Sequence, residues 1–453
     1  MSTRQDQLQS HQFAVQRVVA ALVMRETDPY RSPFRRVAGA TLAGVLLAAI
    51  GIGGAAAYGV VVGVGATGWR SDNALVLERE SGARYLFRSG RLYPVANGAS
   101  ALLLGAHGEP TRVPRRSLAQ VPRGAPVGIA AAPDAIPPAS ALLPLPWSVC
   151  SGSRPGSPSD GEQSTLLIGA TPTGGEPLAD RGALVSADGV GSYLLWHQRR
   201  YRLVQPRAVM RALNWSDRTV TAVAPAFLNT LPAGADLGPV RLPGSGERVP
   251  GYRARVGELF VVRGQPDQFG VLTRTGLVAV SALEAALLRL TPGPADVEPT
   301  EVTLARFNTL MTPGGLTPAG VAPPPRPPVL ASVETGTLCA IQQPDGTSVL
   351  VAGGVVALSR AVPSGGRSAD GAVLADQVVV TPGAGALVQA GSTLALVTEV
   401  GRRYPIPAGP ARQLLGYGAV APVRVPPGVL ALLPAGPALD PTAAALSTVV
   451  TDS

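Results

Sequence analysis

Histidine and cysteine are the residues of this 453-residue chain best suited to chemistry, and their setting decides what kind of chemistry is open to them. His107 follows the run LLLG, and His197 interrupts the stretch GSYLLWHQRRYRLV; both read as exposed turn residues rather than general bases. No G-x-S-x-G elbow, H-E-x-x-H pair or Cys/His spacing suited to zinc occurs. The chain contains no lysine, so it cannot supply the phosphate-binding amine of a P-loop. Of its Gly-rich runs, GIGGAAAYG sits in a wholly apolar stretch and GAGALV in an expected turn, and neither reads as a nucleotide cradle. No catalytic, cofactor-binding or metal-ligating residue, and no cofactor, is therefore expected. The two cysteines, Cys150 and Cys339, are left as one disulfide or as two buried thiols.

The compartment bears on that choice, and one segment sets it. Val37 to Val64 runs for 28 residues without a charge, long enough to cross a bilayer as a tilted helix. A cleaved signal peptide is the alternative, suggested by Ala55-Ala56-Ala57, but the apolar stretch and its leader are both too long. Six arginines against three acids in residues 1–36, with Arg35-Arg36 abutting the span, predict a cytoplasmic N-terminus and an outer C-terminal part. In an oxidising outer compartment the simplest state of an even pair is a Cys150–Cys339 disulfide, whose loop of about 190 residues sets a stabilisation ceiling of about 5 kcal/mol. Two small-residue ridges mark the span: Ala40, Gly44 and Ala48, and Gly51, Ala55, Gly59 and Gly63. Such ridges allow close helix packing in lipid. In the leader, Leu8, Phe13, Val15, Val18, Val19 and Leu22 form a loose helical stripe, broken at Asp28-Pro29. Phe13 and Leu22 are its expected docking residues, for a partner protein rather than for lipid.

Beyond the span, 54 Gly, 45 Pro and 4% aromatics exclude a long-helix ectodomain and point to short strands and turns. The +6 net charge outside residues 1–67 reads as spread over a solvated surface, which excludes a nucleic-acid patch. Four segments repeat a pattern. Hairpin-like stretches occur at GARYLFRSGRLYPV, GSYLLWHQRRYRLV, QFGVLTRTGLVAV and TLALVTEVGRRYPI, each followed by a short apolar run and an apolar turn ending in Pro and Gly. From Tyr93 to Pro122 is 29 positions, from Tyr201 to Pro232 is 31, from Tyr404 to Pro434 is 30, and the third unit is longer at 35. The expected organisation is a leader at 1–36, a transmembrane helix at 37–64, repeats at 74–127, 183–238, 258–318 and 391–440, and a tail at 441–453. Spacers 128–182 and 319–390 each hold one cysteine, and they are expected to form one central β module with the repeats in pseudo-twofold array around it. Its sheet is expected from STLLIGA, GALVSA, SVLVAGGVVALS and AVLADQVVVTP. The fold class is mainly β with short helices.

The leader R-Q-D-Q-L-x-x-H-x-F-x-x-x-R, Asp28-Pro29 before the span, GARYLFRSGRLYPVANGASALLLG, RGAPVGIAAAPDAIP and WSVC ending at Cys150 together resemble the EccB family. These are single-span subunits of the actinobacterial type VII (ESX) secretion complex in the inner membrane. The resemblance covers nearly the whole chain. It implies a structural subunit with four repeats around a disulfide-linked module, and it implies the partners EccC-type motor ATPase, EccD, EccE and mycosin protease; self-association of ectodomains is expected besides. Family members are sometimes described as ATPases, which no residue here supports. An ectodomain nucleotide hydrolase and a cell-wall-binding module are the alternative functions.

Overall fold

The computed structural model describes residues 4–25, 33–62, 68–153, 161–317, 321–333 and 337–446. Two compact units are present: residues 1–94 with 107–124, and residues 95–106 with 125–453.

The first unit holds two long helices, α1 (Arg4–Met24) and α2 (Pro33–Val62). Helix α2 begins four residues before the expected span, because Pro33 suits a first helical turn and the arginines that follow can extend it outside lipid. The expected break at Asp28-Pro29 and the end of the span at Val64 lie outside the described residues. After α2 come β1 (Ala74–Glu78), β2 (Arg84–Arg88), β3 (Arg91–Pro94) and β4 (His107–Val113), in the sheet order β3-β2-β1-β4, with α4 (Arg115–Leu118) following β4. Alternation along these strands puts Val76, Tyr85, Phe87, Leu92 and Val113 into one core with Trp69 and Leu118. The β2–β3 turn is Ser89-Gly90, both with positive φ (51° and 74°), as a two-residue hairpin of matching twist requires.

The second unit opens with α3 (Gly98–Leu103), capped by Asn97, whose side chain accepts from the Ser100 amide at 3.0 Å. Strands β5 (Trp147–Ser153), β6 (Glu162–Leu167) and β7 (Glu176–Pro177) precede a second four-stranded sheet. That sheet comprises β8 (Ala183–Ala187), β9 (Gly191–Trp196), β10 (Arg199–Arg202) and β11 (Thr221–Ala222), with α5 (Pro206–Ala212) and α6 (Pro225–Asn229). A third contains β12 (Leu259–Val262), β13 (Gln265–Thr273), β14 (Gly276–Val280) and β15 (Thr300–Val302), with α7 (Ala282–Leu288) and α8 (Leu304–Leu310). Strands β16 (Leu338–Gln342), β17 (Ser348–Ala352), β18 (Ala361–Pro363) and β19 (Gln377–Val379) follow. The last sheet is β20 (Ala386–Ala390), β21 (Thr393–Val397), β22 (Arg403–Pro405) and β23 (Val423–Arg424), with α9 (Ala411–Leu414) and α10 (Pro427–Ala431), before α11 (Pro441–Ala444).

All four small sheets share one plan: three antiparallel strands in sequence, with a fourth parallel to the first. One helix precedes the fourth strand and one follows it. The seven-stranded sheet, in the order β18-β19-β6-β5-β16-β17-β7, takes strands from both sides of residue 183 to residue 317. Two expectations change here. GALVSA forms β8, which pairs with β9 and β11 rather than joining the large sheet, and β20 pairs with β21 and β23, so the last sheet starts five residues before the expected boundary at 391. A short apolar run carries no mark of which sheet it will join, since either offers a buried face.

Candidate functional site

Strand β5 is buried from Trp147 to Ser151, flanked in the sheet by β6 and β16, so its side chains are held from both edges. In antiparallel register Cys339 of β16 lies directly opposite Cys150 of β5, with Cα atoms 4.0 Å apart and a disulfide between them. Both cysteines are buried. The bond closes a sequence separation of 189 residues, which holds the second and third small sheets between its ends. Neighbouring polar groups tie the same sheet to its surroundings. Ser148 donates to the Ala170 carbonyl at 2.9 Å, and Ser151 accepts from the Ala224 amide at 2.8 Å, just ahead of α6. Across 212 positions, the Asp376 carboxylate accepts from the amide and hydroxyl of Ser164 at 2.8 and 2.6 Å, while the Asp376 amide donates to the Ser164 hydroxyl at 3.0 Å. Buried polar groups satisfied reciprocally in this way fix register as well as position.

Three of the four small sheets carry a contact that the sequence did not reveal. Tyr93, Tyr201 and Tyr404 each lay a ring against the backbone of the glycine that ends the closing turn: Gly124, Gly234 and Gly436. A Cβ on any of these glycines would meet a ring carbon at 2.2–2.3 Å. Their amides donate to the carbonyl just before the tyrosine, Leu92, Arg200 and Arg403, at 2.8–2.9 Å. In the third sheet Thr312 makes that same backbone bond to Leu277, and Val278 takes the place of tyrosine. The near-constant spacing from tyrosine to this glycine, 31, 33 and 32 positions, was the available signal, hidden by the abundance of glycine elsewhere.

Helices from different sheets share cores inside the second unit. Val209 and Leu213 meet Leu283 and Leu287, so α5 packs on α7. Ala99 and Leu103 meet Leu396, Tyr404 and Leu415, so α3 packs near α9 and α11.

The membrane candidates present apolar surface outward. Residues Val37–Tyr58 of α2 are long and apolar enough to cross a membrane, and none of the window is buried. Gly44 and Gly51 have nothing within 4 Å of a built Cβ, and Ala55 is exposed on the Gly51 face. Gly59 lies in α2, but its surroundings, like Gly63 altogether, fall outside the described residues. On α1, Phe13 and Leu22 are 66% and 75% exposed. No partner within the described chain covers them.

Of the two histidines beyond α2, His197 is at a surface turn as expected, whereas His107 falls in a strand rather than a turn. His197 heads the β9–β10 turn at φ 43°, stacks on Trp196 with ring centroids 3.7 Å apart, and reaches Asp180 at 2.8 Å. His107 starts exposed strand β4. Among the described residues no cluster of His, Cys, Asp and Glu is arranged to hold a metal. The strongest buried charge is Glu78, whose carboxyl is held below its ordinary range by Arg115 at 2.5 Å and then by the Ser81 hydroxyl at 2.8 Å.

The chain, with its disulfide-bonded sheet and one helix long and apolar enough to cross a membrane, is matched over nearly its whole length by one family description: "Type VII secretion system ESX-1, transport TM domain B" covers residues 1–451. The chain belongs to the EccB family. Among EccB relatives, the "ESX-2 secretion system ATPase EccB2" of Mycobacterium tuberculosis is 33% identical over 66% of this chain. That match spans 62% of the relative's own length, less than two thirds. The "ESX-3 secretion system ATPase EccB3" of Mycolicibacterium smegmatis is 27% identical over 96% of this chain and 88% of its own. A chain in the structure of an intact ESX-5 inner membrane complex superposes with a TM-score of 0.65 at 25% identity, covering all of this chain and 97% of that one.

Proposed function

We propose that this EccB-family chain is a structural subunit of a type VII secretion complex in the inner membrane, with α2 as its anchor, an N-terminus in the cytoplasm and its sheets outside. The observation that carries the reading is the family match that runs through the anchor helix as well as the sheets, on a chain whose side chains are exposed from Val37 to Tyr58. Its partners on this reading are an EccC-type motor ATPase, EccD, EccE and a mycosin protease, with self-association of ectodomains. Gly44, Gly51, Ala55, Gly59 and Gly63 are the proposed close-packing face of the anchor, and Phe13 and Leu22 the cytoplasmic docking residues. Within the ectodomain we read the four small sheets as one repeated unit in pseudo-twofold array about the disulfide-bonded sheet. Their identical strand order and the pairing of α3 with α9 and of α5 with α7 support that reading.

The test is purification from native membranes with mass spectrometry of what accompanies the chain. Recovery with the other ESX subunits is expected; recovery without detergent, or alone, overturns the reading. The relatives' names carry the word ATPase, and that defines the second reading. Purified chain, free of motor subunits, is expected to release phosphate from ATP only at background rate, because no lysine is available to bind the transferred group. Turnover abolished by one point substitution in this chain would replace the scaffold reading with an enzymatic one.

A further inference from the structure

The charge outside the membrane is not spread as the sequence suggested. The lobe formed by residues 68–94 and 107–124 carries nine arginines against four carboxylates, a net of +5. All the rest of the chain beyond the span has 23 arginines against 22 acids. Nearly the whole excess therefore sits in one small sheet. That sheet is also the first to follow α2: six residue steps separate Val62 from Gly68, so the lobe starts within about 22 Å of the end of the helix at full chain extension.

The lobe breaks a local rule where this charge concentrates. Arg88 and Arg91 stand directly opposite each other across the β2–β3 hairpin, a like-charge cross-strand pair that destabilises a sheet. Both are exposed, as are Arg112 and Arg116, and among the described residues none of the four has a carboxylate within ion-pair distance. Asp72, the acid joined to this tip, accepts the Ser89 amide at 2.8 Å instead. A sheet edge that keeps an uncompensated pair of this kind is organised for an anion that the chain does not contain. Guanidinium groups so placed suit phosphate oxygens, and the nearest dense array of phosphates is the bilayer surface to which the lobe is tethered.

We propose that the basic lobe docks, through the Arg88/Arg91 hairpin tip, on anionic phospholipid headgroups of the bilayer that α2 crosses. The inference rests on the anchor reading above. Docking of this kind sets the first sheet at the surface and fixes where the remainder of the ectodomain starts.

The full chain would be placed in nanodiscs of phosphatidylcholine alone and of phosphatidylcholine with phosphatidylglycerol in equal parts. Amide hydrogen exchange of residues 84–94 would then be followed at low and high salt. Greater protection in the anionic discs, lost at high salt, is expected. Arg88→Gln/Arg91→Gln should lower the docking equilibrium constant about 25-fold, taking about fivefold per arginine near an anionic surface. Arg360→Gln/Arg424→Gln, which removes the same charge from the other unit, should change it little. Unchanged exchange of the double hairpin variant in neutral discs confirms that its fold is intact. Failure of the wild-type chain to enter discs overturns the anchor reading and the docking with it. Entry with equal hairpin exchange in both disc types overturns the docking alone, as does protection that arises only on adding the co-purified secretion subunits, which would make a protein the occupant.

Discussion

Gly234→Ala is the sharpest test of how the small sheets hold their shape. A Cβ at this position would lie 2.2 Å from Tyr201 Cε1, 2.5 Å from Cδ1 and 2.8 Å from Cζ, so the ring or the turn must retreat by more than an ångström. Neither is free to do so. Tyr201 is 2% exposed and packed by Leu184, Leu194, Leu203 and Val209, and its hydroxyl donates to the Ala322 carbonyl at 3.2 Å. The turn is pinned on both sides, by the Arg200 amide to Pro232 at 3.0 Å and by the Gly234 amide to Arg200 at 2.8 Å. Overpacking of this order costs about 1–3 kcal/mol, and losing the tyrosine hydrogen bond adds about 1 kcal/mol, so a destabilisation of about 2–4 kcal/mol is expected. Gly315→Ala, whose nearest neighbour would be 3.9 Å away, provides the control and should stay within about 0.5 kcal/mol. Urea unfolding of the full chain in detergent reads both, with the slope unchanged. The third sheet suggests a compensating pair, since it places Val278 and Thr312 where the second has Tyr201 and Gly234. Tyr201→Val with Gly234→Thr should therefore cost at least about 1 kcal/mol less than the sum of the two single changes. A Gly234→Ala midpoint equal to that of the Gly315 control, or strict additivity of the pair, would refute the contact as the reason for glycine.

Non-reducing peptide mapping should recover Cys150 and Cys339 in one linked peptide, and Cys150→Ser/Cys339→Ser should lower stability by about 2–5 kcal/mol in urea; an unchanged midpoint would mean that the strand ladder alone sets the sheet. Because the Glu78 carboxyl is held below its ordinary value near 4.5, its contribution is present above that pH and is lost as pH falls through the lower folded value. Arg115→Gln should flatten this acid limb in the first sheet, read by the fluorescence of Trp69 in its core, and an identical limb in the variant would reject the pairing as its source. Gly44→Leu/Gly51→Leu should leave membrane insertion intact while reducing co-purification of partner subunits, and Phe13→Ala/Leu22→Ala should do so with the ectodomain still folded; full recovery of partners with both variants would leave the helices as simple anchor and leader.

Some of this architecture was readable because the physics is local. The turns at Ser89-Gly90 and His197-Gln198 combine a polar pair with apolar alternation on both sides, and both residues of each pair adopt positive φ. The span was legible from length and lack of charge, and the disulfide from an even cysteine pair on one side of it. What the sequence concealed was long-range. Strands β4, β11, β15 and β23 are short or polar, reading HGEPTRV, TA, TEV and VR, and they exist only because each finds a parallel neighbour far back along the chain. The glycines opposite Tyr93, Tyr201 and Tyr404 look like any other glycine until the ring that excludes a side chain is in view. The charge of the first lobe was countable from the start, but it acquires meaning only once residues 68–94 and 107–124 are known to fold together.

The bond between Cys150 and Cys339 also decides how the molecule bears load. Tension applied between the anchor helix and the C-terminal residues enters β5 and can leave through β16 across a covalent bridge, so the 189 positions between them need carry none of it. At full extension that segment would lengthen the chain by about 680 Å, and with the bridge intact none of this length can be paid out. The second and third small sheets thus hang from a closed ring as unloaded cargo, while the first and last sheets and the strands that join them form the force-bearing line.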